Sequence, residues 1–138
     1  MFKLKKILNS ATTVPELVRR KASNTEKYTC GYLLKMSDDG VVKNVKEGEF
    51  PTHVCCESLA AGERKDVLCY EILDTMIFSA AAYDNMTDVV PGVKVVLEAN
   101  EKGYYTLVSS NDIEGYVTLY STVGATQSGD TVLVRFIK

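Results

Sequence analysis

Histidine is nearly absent from this 138-residue chain: His53 is the only one. A nucleophile or metal site built on imidazoles therefore has no second histidine to orient or ligate. No G-x-x-x-x-G-K-[ST] or G-x-G-x-x-G stretch occurs, so nothing supports nucleotide binding. No apolar run approaches a membrane span. Ile7-Leu8 is all that follows the basic start of the first ten residues, too short a core for a signal peptide. The four cysteines, Cys30, Cys55, Cys56 and Cys69, fit neither a paired zinc-ligand spacing nor a small disulfide scaffold. Each falls in a predicted strand, where a free thiol behaves as a small buried hydrophobe, and reduced thiols fit intracellular synthesis. Tryptophan is missing as well, which excludes nothing.

Charge is close to balanced overall, at a formal net of -2, which excludes the chain as a whole from electrostatic nucleic-acid binding. Its distribution is uneven. Residues 1–27 hold seven basic side chains against two acidic ones, and the rest holds nine against sixteen. The division predicted is a basic N-terminal arm, 1–24, on a β-rich body, 25–138. The bland reading of the arm is a frayed, solubilising terminus. The sharper one is a docking arm, in which Lys3, Lys5, Lys6, Arg19, Arg20 and Lys21 meet an acidic neighbouring protein and Phe2, Leu4, Ile7 and Leu8 add apolar anchors. Thr13-Val14-Pro15-Glu16 has capping-box spacing, so Glu16 to Lys21 reads as a turn or two of helix or as extended chain.

What is present in abundance is turn chemistry between short alternating runs. Tyr28, Cys30, Tyr32, Leu34 and Met36 recur at every second position, the period of a half-buried strand. Ser37-Asp38-Asp39-Gly40 then supplies a turn, and Val41-Val42 a return strand. Further strands are predicted at His53 to Glu57, Val67 to Leu73, Met76 to Phe78, Val93 to Glu98, Tyr104 to Ser109, Tyr116 to Tyr120 and Thr131 to Ile137, with Val132, Val134 and Phe136 on one face. Ser79 to Met86 reads as a helical turn or a crossing loop. No long helical period appears. The spacing predicts an all-β fold: a compact sandwich or small barrel of about eight short strands with an extended N-terminal arm.

Reactive groups cluster once, at His53-Val54-Cys55-Cys56-Glu57. Alternation puts His53, Cys55 and Glu57 on one face, with Val54 and Cys56 packed inward. Residues two apart on one strand do not converge as a nucleophile and its base must, so plain strand residues are expected. Asp38-Asp39 and Glu47 with Glu49 sit in turns, where carboxylates serve turn formation and solvation. Tyr104, Tyr105, Tyr116 and Tyr120 offer stacking faces, but cross-strand pairing explains them better. No catalytic residue, cofactor or metal is expected.

The order of features resembles the decoration, or auxiliary capsid, proteins of tailed bacteriophages. A polar or basic arm precedes a "G-x-L-L-K … G-x-V" hairpin, here Gly31 to Lys35 and Gly40 to Val42. An "EGExP" crossing, Glu47 to Pro51, leads to an "xAAGE" turn at Ala60 to Glu63 and finally to the "GDTVLVRF" strand, Gly129 to Phe136. The likeness spans residues 28–138. It implies a non-enzymatic module, made in the host cytoplasm, that binds the major capsid protein on the capsid exterior and stabilises the head. Self-association on the capsid would fit, and neither nucleic acid nor membrane is an expected partner. The alternative is another virion binding module, a head fibre base or a carbohydrate-binding domain. A small hydrolase using Cys55 or Cys56 stands third.

Overall fold

The computed structural model describes residues 2–46, 49–81, 94–99, 105–109, 116–121 and 131–137. Regular structure among the described residues is all strand. In chain order the strands are β1 (Lys3–Ile7), β2 (Val18–Ala22), β3 (Leu33–Met36), β4 (Val41–Asn44), β5 (His53–Cys55), β6 (Asp66–Glu71), β7 (Met76–Ala81), β8 (Lys94–Ala99), β9 (Tyr105–Ser109), β10 (Tyr116–Ser121) and β11 (Thr131–Arg135). The all-β class holds, with eleven strands among the described residues where about eight are predicted. They form a closed barrel in the order β2-β4-β3-β5-β6 and a six-stranded sheet in the order β1-β7-β11-β10-β8-β9.

The β3–β4 hairpin shows why this sequence turns where it does. Gly40 has φ +79°, a conformation that costs a Cβ-bearing residue strain. Its N–H donates to the Ser37 carbonyl at 2.9 Å. Asp39 Oδ1 accepts from Val41 N–H at 3.2 Å and from the Ser37 hydroxyl. The Ser37 and Val41 hydrogen bonds hold the Asp39 carboxyl below the usual range. β4 then pairs antiparallel with β3 and parallel with β2.

Two cores follow from this layout. Inside the barrel lie Tyr28, Leu34, Val42, Cys55, Leu59, Val67 and Cys69, with Val18 and Ala22 against them. Between the barrel and the six-stranded sheet lie Phe2, Leu33, Val45, Val54, Tyr70, Met76, Phe78, Ala80, Val132, Val134 and Phe136. Strands β3, β5 and β6 contribute to both, so they are buried on two faces. The four phenylalanines of the chain meet in the second core: Phe2, Phe50 and Phe78 lie 5.5, 6.3 and 5.3 Å from the Phe136 ring, centroid to centroid. The tilted and edge-on arrangements are those aromatic quadrupoles favour.

Several expectations are revised. The stretch predicted as an arm, described from residue 2 to 24, is woven into both sheets. β1 pairs antiparallel with β7, β2 sits between β4 and β6, and Phe2 is buried, because apolar side chains on this stretch fill both cores. The Thr13-x-x-Glu16 pattern starts no helix. A helix that short needs a packed face, and Val18 and Ala22 pack as strand residues instead. Ser79 to Ala81 continue β7 and make no helical turn. Cys30 is exposed, because the chain turns at Gly31, φ +86°, before β3 begins. In β5, His53 and Cys55 face the barrel interior and Val54 faces the sheet, so all three are buried, while Cys56 is half-buried. Met86 and the turns expected at 88–92, 100–103, 111–115 and 124–130 lie outside the described residues.

Candidate functional site

The six basic residues singled out from the sequence fall in two places. Lys3, Lys5 and Lys6 are exposed on β1, the edge strand of the larger sheet. The register slips between Leu4 and Lys6, a bulge that turns both Lys5 and Lys6 to solvent. Three lysines and a bulge on an edge also block further strand addition there. Arg19, Arg20 and Lys21 lie on β2, in the barrel wall.

On β2 the three side chains take separate roles. Arg19 Nη1 lies 2.9 Å from Asp66 Oδ1 and 3.5 Å from Glu57 Oε1, and Arg64 bridges the same two carboxylates at 3.4 and 3.9 Å. Glu57 Oε1 also accepts from Leu68 N–H at 2.7 Å, tying the cluster to β6. Arg20 alternates to the interior side, where its Nε–H donates to His53 Nε2 at 3.2 Å. With Nε2 accepting, the ring proton is assigned to Nδ1, which donates to Thr52 Oγ1 at 2.8 Å. Thr52 Oγ1 accepts from Met36 N–H at 2.8 Å as well. Burial, then the Arg20 charge, pushes the His53 pKa down, so this imidazole is held neutral. It is a structural link from β2 to β3, in which the ring donates to the Thr52 hydroxyl and does not accept its proton.

Three of the four thiols are withdrawn from solvent, and Cys30 is exposed. Burial is the leading cause that pushes Cys55 and Cys69 up to about 11 and Cys56 up to about 12, which suppresses the reactive thiolate at neutral pH. The Cys55 Sγ donates to the Glu57 carbonyl at 3.0 Å. Among the described residues, no three His, Cys, Asp or Glu side chains converge as a metal site.

Lys21 points to a third place. A cleft of about 780 Å³ opens at one end of the barrel, between the end of β2, the β3–β4 hairpin and the turn that leads into β6. Its charged lining is Lys21, Lys43, Arg64 and Lys65 against Asp39 and Glu63, a surplus of two positive charges on a chain whose formal net charge is -2. Gly62, with φ +74°, forms part of the wall, close enough that a Cβ there would meet the Asn24 carbonyl at 3.4 Å. Sequence reasoning finds Lys21 but misses Lys43 and Lys65. Each is a single lysine beside a turn, and barrel closure alone brings them together.

No family model matches the sequence, and no curated protein matches it. Among solved structures the chain is similar to the head fibre gp8.5 N base of bacteriophage phi29, with a TM-score of 0.53 and 16% identity over 88% of this chain and 95% of that one. At that identity the likeness is one of fold, and the fold shared is that of a phage head fibre's base.

Proposed function

We propose that this protein is a non-catalytic structural component of a phage virion, a decoration protein that binds the outer face of the assembled head and stabilises it. The observation that carries the reading is the fold shared with the phi29 head fibre base over nearly the whole of both chains. The physical character of the molecule is in keeping with it. A closed barrel and a sheet share an aromatic core, which suits a module that must hold its shape under load. The partner is the major capsid protein, and copies associate on the shell after synthesis in the host cytoplasm. Lys3, Lys5, Lys6 and Lys21 are the contacts left without an ion pair among the described residues. Arg19, also exposed, pairs with Asp66, and Arg20 donates to His53. No cofactor or metal takes part.

A second reading, the base of a head fibre, is favoured by what the structural neighbour is. The test of both is to mix the purified protein with heads assembled without it, then measure co-sedimentation and the temperature at which the heads release their DNA. Binding that raises the release temperature is the decoration outcome. Binding that leaves it unchanged is the fibre-base outcome. Protein that stays in the supernatant across ionic strengths overturns both.

A further inference from the structure

The barrel-end cleft holds three lysines that make no close ion pair among the described residues. Lys21, Lys43 and Lys65 reach it from β2, β4 and the approach to β6. Among the described residues, none of the three has a carboxylate oxygen within 4.0 Å of its ammonium nitrogen. The two acids in the lining keep their charge, and behind the Ser37 and Val41 hydrogen bonds the Lys21 charge helps to hold the Asp39 carboxyl low, but each acid also serves its own turn. Asp39 serves the hairpin turn, and Glu63 Oε2 accepts from Ala60 N–H at 2.7 Å. Arg64 is held by Glu57 and Asp66. The three lysines are thus the positive groups the cleft has to offer a ligand, set among Ser23 and Asn24, which can hydrogen-bond an incoming chain.

We propose that this cleft binds an acidic stretch of a partner polypeptide. Its volume lies within the range of ligand sites, about 300–1,000 Å³, which suits a short segment and not a folded domain. Lysine ammoniums act as point charges on flexible stems and can follow carboxylates without a fixed planar geometry. A nucleic acid presents a phosphate at every nucleotide and would meet Asp39 and Glu63 in the lining, whereas a peptide can space its acids around them. The inference deepens the virion reading, on which it rests, by naming the partner's chemistry: an acidic segment of the shell-facing partner.

The experiment titrates the full chain with a fluorescent glutamate-rich peptide, with a heparin fragment and an oligothymidylate as competing probes. The peptide should bind, and more weakly as salt rises. Lys21→Gln, Lys43→Gln and Lys65→Gln should each weaken it about two- to five-fold, the range of exposed ion pairs, and the triple variant at least ten-fold. Lys27→Gln, at an exposed lysine outside the cleft, should leave it unchanged. Equal peptide binding by the triple variant and the wild type overturns the proposal, as does tighter binding of heparin or oligothymidylate than of the peptide. The lysines are surface residues, and an unaltered melting temperature of the triple variant certifies its fold. Head co-sedimentation separates the two levels. Peptide binding through the three lysines without head binding leaves the cleft standing and fells the virion reading. Equal head binding by wild type and triple variant does the reverse.

Discussion

Leu33 and Leu34 are neighbours on β3 and each is fully buried, yet they belong to different cores: Leu33 faces the six-stranded sheet and Leu34 faces the barrel interior. The strand between them is the partition that the two halves of the molecule share. Leu33→Ala and Leu34→Ala should each destabilise by about 2–5 kcal/mol, the cost of a large-to-small change in a packed core. Met36→Ala, on the exposed end of the same strand, should stay within about 0.5 kcal/mol. Urea denaturation of the three variants checks this.

Tyr28 closes a local circuit. Its hydroxyl accepts from Ser23 N–H at 2.8 Å and donates to the Val42 carbonyl at 2.6 Å, inside the barrel core. Burial is the main reason its pKa is raised. Tyr28→Phe keeps the ring and strands both backbone groups. The expected loss is about 1–3 kcal/mol, the penalty for leaving a buried donor or acceptor without a partner. Thermal unfolding followed by circular dichroism reads it.

His53 should make stability depend on pH. An unfolded histidine titrates near about 6.5. In the folded chain, burial and the Arg20 guanidinium depress that value, opposed by Glu71 across the β5–β6 pair. Below about 6.5 the unfolded state binds a proton that the folded state resists, so stability falls as pH falls through that value. The loss continues until the folded imidazole itself titrates. A melting temperature that drops from neutral pH toward mildly acidic pH is expected, with a shallower drop in His53→Gln.

Removal of residues 1–22 should abolish cooperative folding. The deletion takes Phe2 from the shared core, β1 from the edge of β7 and β2 from between β4 and β6, which opens the barrel. Charge substitutions, not truncation, are therefore the way to test Lys3, Lys5 and Lys6 in binding. A truncated protein with a sharp melting transition would contradict this account.

Thiol labelling should report the cysteine environments. Cys30 is exposed, whereas Cys55 and Cys69 are buried with their pKa values pushed up to about 11 and Cys56 is half-buried with its value near 12. One equivalent of a maleimide should add rapidly at neutral pH and map to Cys30. The other three should react only on unfolding.

How much of this could be read in the chain depends on distance along it. The Ser37–Gly40 turn and the alternation of Val132, Val134 and Phe136 are local, and both stand in the structure. Alternation misleads at Leu33-Leu34 and His53-Val54-Cys55, because a strand with cores on both sides has no polar face to mark the period. At the N-terminus the apolar positions Leu4 and Ile7 are three apart, since a bulge interrupts the pairing between them. That spacing hides a strand. The all-β class is legible in the spacing of turns and alternating runs, while the cleft is not. Its lysines converge only when β2 and β4 come together, a pairing no short-range pattern announces.

The placement of the first two strands also sets an order of events during synthesis. Lys3 pairs with Ser79 and Val18 with Cys69, so β1 and β2 leave the ribosome long before their antiparallel partners exist. Neither barrel nor sheet can close until β6 and β7 have been made, and closing loops of that length slows folding. Through that interval the leading stretch must remain in water with its apolar residues uncovered. Six basic residues among the first twenty-four give it a positive charge of the kind that favours solubility and self-repulsion.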